Sequence, residues 1–148
     1  MGEGRSAPPR VFVDTNVLFS ASHSLQGAPG RLLQLHRDGH IGIVVSQQVL
    51  DELIRNLRDK LPSGLPVLQH LLNATPPEIV ADPAQEGVDQ LAEAVNFDDA
   101  PILAAALAAE VDFLVTGDRA FLREARKAQT DLVVLSPREF LEQFEADE

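Results

Sequence analysis

Short runs of consecutive apolar residues alternate along the chain with longer segments whose apolar residues recur every three or four positions. Short apolar runs are typical of buried parallel strands, and the three-to-four spacing is typical of helices. The runs predict five strands, at 10–16, 41–46, 78–81, 111–118 and 132–136. The periodic segments predict seven helices, at 28–40, 47–61, 65–75, 84–96, 98–110, 119–129 and 136–144.

The last predicted helix carries its own start signal. Ser136 is placed at the N-cap, Pro137 occupies the first helical position, and Glu139 lies three residues after the serine. In such a capping box, the Ser and Glu side chains each accept a hydrogen bond from the other residue's backbone N–H. The sequence therefore predicts a capping box at the start of this helix.

The alternation of strands and helices predicts an α/β fold. Strands joined by helices form a mostly parallel central sheet with helices on both faces, which is a three-layer α/β/α sandwich. A chain of 148 residues corresponds to one domain. We expect residues 1–9, which are rich in Gly and Pro, to form a flexible tail, and residues 10–148 to form the domain.

Composition narrows the functional classes. The chain has no Cys, which excludes disulfides, a thiol nucleophile and Cys-ligated zinc, and agrees with a cytoplasmic location. No apolar run reaches the roughly 18 residues of a membrane span, and the N-terminal residues do not resemble a secretory signal, so no membrane partner is expected. The net charge of −11 and the absence of Trp and Tyr argue against broad electrostatic attraction to nucleic acid. Carboxylates clustered around divalent cations, or a basic partner surface, would account for the same charge.

Acidic residues lie at predicted strand ends and helix starts, which face the ligand-binding edge of a parallel sheet. Asp14 follows the first strand, and Asp118 ends the segment "FLVTGD". Glu52 lies on the second turn of the helix after the second strand, and Asp98 and Asp99 begin the Ala-rich helix. In a sheet of the expected kind these carboxylates can converge at one edge.

Convergent carboxylates repel one another and lose hydration, and a divalent cation relieves both costs. Mg²⁺ and Mn²⁺ prefer hard oxygen ligands. Two such ions about 4 Å apart can activate a water molecule and stabilise the leaving oxygen in phosphodiester cleavage. Asn16 and Thr116 are placed to support the cluster by hydrogen bonds. Metal-dependent phosphodiester hydrolysis is therefore the leading hypothesis.

Each acidic residue also has a purely structural interpretation. Asp14 and Asp118 are good N-caps for helices that follow them. Asp98 or Asp99 would be favourable at a helix start, where the helix dipole attracts negative charge, although one cap would be enough. Glu52 has the structural interpretation of an ordinary solvent-exposed residue on its helix, as most helical Glu residues are. The acidic residues taken together, in this order along the chain, indicate a metal site more strongly than any one of them alone.

The chain resembles the PIN domain, a family of metal-dependent nucleases. The resemblance runs through "VFVDTNVLFSA", "VVSQQVLDELIR", "FDDAPILAAALAAEVDFLVTGDRAFL" and "LSPREFLEQF". It covers nearly the whole chain after the tail and is most specific at "VDTNVL" and in the pair "DDAPILAAAL" and "DFLVTGD". The chain is similar in particular to bacterial members that act as toxins of toxin–antitoxin pairs.

The resemblance implies a site, an activity and partners. The family's acidic residues, which are its catalytic residues and metal ligands, fall on Asp14, Glu52, Asp99 and Asp118. Asp98 leaves the choice of the third acid open, Glu52 would bind a second ion or orient water, and Asn16 and Thr116 match the family's polar positions. The implied activity is cleavage of single-stranded RNA by water with Mg²⁺ or Mn²⁺. The implied partners are an antitoxin protein and a second copy of the chain in a homodimer.

Few basic residues are available to contact RNA near the acidic set. Arg55 lies one turn after Glu52 on the same predicted helix, and Arg119 adjoins Asp118. Both are candidate substrate-binding residues through contacts to phosphates. The structural alternative is that they are solvated residues with local ion pairs.

Two other functional classes fit part of the pattern. A receiver-type signalling domain has an alternating α/β plan and an acidic Mg²⁺ site, but it needs an acidic pair near the first strand, which the single Asp14 does not provide. A non-catalytic module whose acidic cleft meets a basic partner would also account for the charge. A stable aspartyl-phosphate would favour the first class, and absence of both Mn²⁺ binding and nuclease activity would favour the second.

Overall fold

The computed structural model describes residues 7–128 and 130–146. Within them the chain forms five strands, eight α-helices and one 3₁₀ turn, Pro62–Gly64. In chain order the elements are β1 (Arg10–Val13), α1 (Thr15–His23), α2 (Ala28–Arg37), β2 (Gly42–Ser46), α3 (Gln47–Lys60), α4 (Leu65–Ala74), β3 (Glu78–Val80), α5 (Gln85–Leu91), α6 (Ala100–Ala108), β4 (Phe113–Val115), α7 (Arg119–Lys127), β5 (Val133–Leu135) and α8 (Pro137–Ala146).

The central sheet has the order β3-β2-β1-β4-β5, and every neighbouring pair is parallel. The predicted α/β fold with a mostly parallel sheet is confirmed. From β1 the chain moves outward to β2 and β3, and then returns to the other side of β1 as β4 and β5. The topological switch point, where ligands bind in open α/β sheets, therefore lies at the carboxyl ends of β1 and β4.

The residues of the central strands form the middle of the core. Val11, Phe12 and Val13 of β1 are fully buried, as are Leu114 and Val115 of β4. Strands covered on both faces need apolar side chains in both directions, which explains why the sequence shows continuous apolar runs here and not an alternating pattern. The core therefore holds the ends of β1 and β4 rigidly.

Helix α1 is not predicted by the hydrophobic pattern, and the first predicted strand is three residues too long. The segment 10–16 looked continuous, but β1 ends at Val13 because the Asp14 carboxylate accepts a hydrogen bond from the N–H of Thr15, 2.7 Å away, and caps α1. The cap interpretation of Asp14 is thus correct. A helix of nine residues that directly follows a strand leaves little periodicity to recognise.

The other element boundaries differ mainly at their ends. The strand predicted at 111–118 contains only Phe113–Val115, and the helix predicted at 84–96 ends at Leu91 before a series of turns. Residues 1–6 of the predicted tail and residue 129 of the predicted helix 119–129 lie outside the described residues. No helix in the described part of the chain is long and apolar enough to cross a membrane.

The predicted capping box is confirmed. The N–H of Glu139 donates to Ser136 Oγ at 3.1 Å, and the N–H of Ser136 donates to Glu139 Oε1 at 2.9 Å. The backbone bond lowers the pKa of Glu139, and the ion pair with Arg126 adds to this effect. The start of α8 was therefore readable from local sequence alone.

Candidate active site

Asp14 occupies the end of the central strand β1 and is 7% exposed. Its Oδ1 accepts the helix-capping bond from Thr15, and its Oδ2 accepts bonds from Thr116 Oγ1 at 2.8 Å and Asn16 Nδ2 at 3.3 Å. Burial raises the pKa of Asp14, the bonds from Thr116 and Thr15 oppose that rise, and the negative charges of Glu52 and Asp118 add to it. Asp14 is a buried carboxylate whose orientation is fixed by three donors.

Asn16 and Thr116 link the ends of β1 and β4. Val13 pairs with Val115 in the sheet register, so the residues that follow the two strands are neighbours. Thr116 donates to Asp14 and accepts the N–H of Asp118 at 3.1 Å, while Asn16 Oδ1 accepts the N–H of Gly117 at 3.0 Å. The supporting roles expected for Asn16 and Thr116 agree with this network.

Asp118 is both a helix cap and a residue of the cleft. Its Oδ1 accepts the N–H groups of Ala120 and Phe121, at 2.9 and 3.1 Å, and so caps α7. Among the described residues, its Oδ2 receives no hydrogen bond. One oxygen therefore stabilises the helix while the other remains available to a ligand.

Asp99 begins α6, but its carboxylate caps nothing and receives no hydrogen bond from the described residues. Burial, with a further contribution from the charges of Asp118 and Asp14, raises the pKa of Asp99 from an ordinary 3.8 to about 6. Asp98 is exposed, and its N–H is bound by the side chain of Asn96. Of the two neighbouring acids, Asp99 is the one whose charge is coupled to both Asp14 and Asp118.

Helix α3 contributes a polar stripe to the same cleft. Glu52, Asn56 and Lys60 are spaced four residues apart and so share one face of the helix. Glu52 accepts a hydrogen bond from Gln48 Nε2 at 3.1 Å. Lys60 lies about 12 Å further along the helix axis than Glu52. The stripe therefore runs from an acidic to a basic end.

These residues surround one open cleft of about 390 Å³ at the switch point. All four predicted catalytic acids line it, together with Asp98 and Asn16, while Thr116 supports it from beneath. The full lining consists of Asp14, Thr15, Asn16, Phe19, Ser20, Glu52, Asn56, Lys60, Asp98, Asp99, Ile102 and Asp118.

The donor set of the cleft fits a divalent cation in its chemistry. The carboxylates are hard oxygen donors, and burial together with their mutual repulsion raises the pKa values of Asp14 and Asp99. The buried Thr15 hydroxyl belongs to a residue that also lines the cleft, and it has no hydrogen-bond partner among the described residues. Across residues 7–128 and 130–146, however, no three His, Cys, Asp or Glu side chains are already close enough to hold an ion. A cation would therefore have to draw the side chains inward.

The raised pKa of Asp99 predicts a pH-dependent stabilisation by Asp99→Asn. Between about pH 4 and 6 the Asp99 carboxyl keeps its proton in the folded state but loses it in the unfolded state. The wild type therefore loses stability as pH rises through that window. The full pKa shift corresponds to a loss of about 3 kcal/mol in the free energy of unfolding. Screening by solvent at this partly exposed position reduces the expected loss to about 1 kcal/mol. Urea unfolding should show a variant that is more stable than wild type at pH 8 and equal to it at pH 4.

Asp89→Asn makes the same charge change at an exposed position on α5. It should change stability little at either pH. A stability difference for Asp99→Asn that is the same at pH 4 and pH 8 would contradict the raised pKa of Asp99.

The two predicted substrate-binding arginines lie in different places. Arg55 lines a second cleft that shares Glu52 and Asp98 with the acidic cleft. Arg119 lines a separate cleft next to α8, together with Thr116 and Gly117. Only Arg55 thus adjoins the acidic cleft through shared residues.

Sequence reasoning did not select Lys60, Asn56 or Phe97. The four-residue spacing from Glu52 was a signal for Asn56 and Lys60, because residues at that spacing share a helix face. Phe97 is next to Asp98 in sequence, and only its exposure in the folded chain distinguishes it from a core residue.

Comparison with known proteins agrees with this architecture. A family model described as PIN domain matches residues 10–120. The fold is similar to VapBC2 from Rickettsia felis bound to a DNA fragment from their promoter, with a TM-score of 0.62 and 22% identity over 86% of this chain and 98% of that one. It is also similar to PAE2754 from Pyrobaculum aerophilum, with a TM-score of 0.64 and 18% identity over 93% and 90% of the two chains.

A third similar structure is FitAcB from Neisseria gonorrhoeae, with a TM-score of 0.59 and 18% identity over 86% of this chain and 98% of that one. No curated protein sequence matches the chain significantly. The family model covers more than half of the chain, including the strands and acidic residues that form the switch-point cleft. The chain therefore belongs to the PIN domain family.

Proposed function

We propose that this protein is an endoribonuclease that cleaves single-stranded RNA with Mg²⁺ or Mn²⁺. The observation that carries the proposal is the convergence of Asp14, Glu52, Asp99 and Asp118 on one open cleft at the sheet's switch point. Family membership supports a nuclease, and the oxygen-only donor set supports a hard divalent cation. The location at the ends of rigid strands is suited to a site that must keep its geometry.

The residues of the chain have distinct proposed roles. Asp14, Asp99 and Asp118 would be the main cation ligands, with Asp99 preferred over Asp98 because its charge is coupled to both other aspartates. Glu52 faces the cleft from α3, where it would bind a second ion or orient the attacking water. When bound, the cation supplies Lewis-acid activation of that water and of the phosphate.

Asn16 and Thr116 act through Asp14. Their N–H and O–H groups occupy Oδ2, so the carboxylate cannot rotate freely within the buried end of β1. Restricting the ligand before substrate arrives reduces the entropy lost on reaching the reactive geometry. Both are positioning residues in this proposal.

The protein's charge agrees with an open, cation-dependent site. A chain with a net charge of −11 does not attract RNA broadly, so productive binding must depend on the cation and on a few local groups. Lys60 is the one basic residue in the described lining of the acidic cleft. Its ammonium group would contact a phosphate near the scissile bond.

The cleavage test uses short single-stranded RNA and the matching DNA. With Mn²⁺ or Mg²⁺ the protein should cleave the RNA internally, and a chelator should reduce cleavage to background until the ion is restored. Product ends read by gel and mass spectrometry check internal cleavage. Full activity in the chelator, or no cleavage of any RNA tested with either ion, would contradict the proposal.

We also propose an antitoxin partner, since one similar fold is that of a VapBC2 assembly. A basic segment of such a partner would complement the acidic cleft. Homodimer formation through α4 is a related proposal, because Leu68 is the only buried residue of that helix, while Val67 and Leu71 line a mostly apolar groove. Light scattering over a concentration series tests the dimer, and a monomer throughout would contradict it.

A further inference from the structure

Phe97 is the most exposed large apolar side chain among the described residues. It is 77% exposed, compared with 49% for Leu25, the next highest. An aromatic side chain of this size normally contributes to a core or an interface. Phe97 is therefore a candidate for contact with a ligand.

The turn that carries Phe97 is firmly anchored. The carbonyl of Asn96 accepts the N–H groups of Asp99 and Ala100, at 2.9 and 3.0 Å. The side-chain Oδ1 of Asn96 accepts the N–H of Asp98 at 3.1 Å, and the backbone N–H of Asn96 donates to Glu124 Oε1 of α7 at 2.9 Å. The aromatic ring is thus presented by a hydrogen-bonded turn, two residues before Asp99 at the start of α6.

Phe97 lines a cleft of about 570 Å³ that joins the acidic cleft. The two clefts share Glu52 and Asp98, and the second one also contains Arg55. Arg55 is exposed, and none of the described acidic side chains forms an ion pair with it. An aromatic face and an unpaired guanidinium therefore lie together beside the candidate catalytic acids.

We propose that Phe97 and Arg55 form a nucleotide subsite next to the scissile position, in which a base of single-stranded RNA stacks on Phe97 and a phosphate contacts Arg55. This inference rests on the proposed ribonuclease function and specifies how the substrate is held. Aromatic stacking is the recurrent way in which proteins bind unpaired bases, because every base has a π-face. Stacking also needs no positive field, which suits an acidic protein.

The surrounding carboxylates explain why a base is a better occupant than an extended run of phosphates. Asp51 and Asp82 lie in the same cleft and would repel backbone phosphates that are not held by a cation or by Arg55. Asp82 also has a structural role, because its Oδ1 accepts the backbone N–H of Gln48 near the start of α3 at 2.8 Å. The subsite thus combines one favourable phosphate contact with one neutral stacking surface.

The test measures binding of a labelled single-stranded RNA oligonucleotide by fluorescence anisotropy, with Ca²⁺ in place of Mn²⁺ to slow cleavage. Phe97→Ala should weaken binding about tenfold, within the range for loss of one base stack. Phe97→Trp should retain binding, and Phe97→Leu, which keeps an apolar side chain without a ring, should not. RNA with an abasic position at the subsite should bind wild type and Phe97→Ala equally.

Leu25→Ala is the matched control, because it truncates another exposed apolar residue that lies in a different cleft. Equal binding by wild type and Phe97→Ala would overturn the subsite, as would full binding by Phe97→Leu, which would indicate a nonspecific apolar contact with the RNA in place of ring stacking. Cleavage of RNA by wild type with no effect of Phe97→Ala would refute the subsite and leave the nuclease function standing. Ring-dependent binding without cleavage would refute the nuclease function and support the subsite.

Discussion

Asp14→Asn should reduce RNA cleavage by more than the roughly 10- to 100-fold that loss of an outer partner of a metal ligand costs. The substitution removes one negative charge from the cleft and converts one acceptor oxygen to an NH₂ group. That group must face either the N–H of Thr15 or the donors Thr116 and Asn16. Initial rates with saturating Mn²⁺, measured on a short RNA, are the direct check.

A variant that fails to fold would give the same loss, so its structure must be checked independently. Circular dichroism and thermal unfolding of Asp14→Asn should show a folded protein with a weaker Mn²⁺-induced rise in Tm than wild type. Asp118→Asn is the sharper companion, because Asn is also a good N-cap and can keep the bonds to Ala120 and Phe121. Wild-type cleavage by a folded Asp14→Asn variant would exclude Asp14 from the site.

Thr116→Val should lower both stability and activity. The hydroxyl group is buried, donates to the Asp14 carboxylate and accepts the N–H of Asp118, so valine removes both bonds without changing the shape. Loss of a hydrogen bond to a charged group costs about 2 kcal/mol. Removing a partner that orients a metal ligand costs about 10- to 100-fold in activity. Urea unfolding and cleavage rates measure the two effects.

The pH profile distinguishes positioning of Asp14 from a purely structural role. The Thr116 bond opposes the burial that raises the pKa of Asp14, so its loss should raise that pKa further. Cleavage by Thr116→Val should therefore rise with pH at higher values than cleavage by wild type. Thr116→Ser keeps the hydroxyl and should restore the wild-type profile. An unshifted profile in Thr116→Val would show that the hydroxyl does not control the ionisation of Asp14.

The acidic residues could be identified from the sequence because their positions follow from local rules. Apolar runs are followed directly by Asp14 after β1 and, three residues after the end of β4, by Asp118, and a helical pattern places Glu52 on the second turn of α3. The cap interpretations were also correct for Asp14 and Asp118. Cap and cleft roles coexist because a carboxylate has two oxygens, so the two interpretations never excluded each other.

The hydrogen-bond network could only be expected in outline. Thr116 and Asp14 are 102 positions apart in the chain, and they meet because β4 inserts beside β1 in the sheet order. Periodicity does not encode that order, since every strand of a parallel sheet shows the same apolar run. Asn96, whose hydrogen bonds hold the turn before α6, likewise carries no sequence signal for this role, except that Asn is common in turns.

The sequence alone determined the alternation of strands and helices, the capping box of α8 and the placement of acidic residues near strand ends and helix starts, because apolar spacing and capping chemistry act over a few residues. Tertiary structure decided which strands are neighbours, which charges raise the pKa of Asp99, and that Phe97 is exposed while Phe12 is buried. These properties depend on distances between segments remote in the chain and on the solvent each side chain loses when the sheet and helices pack.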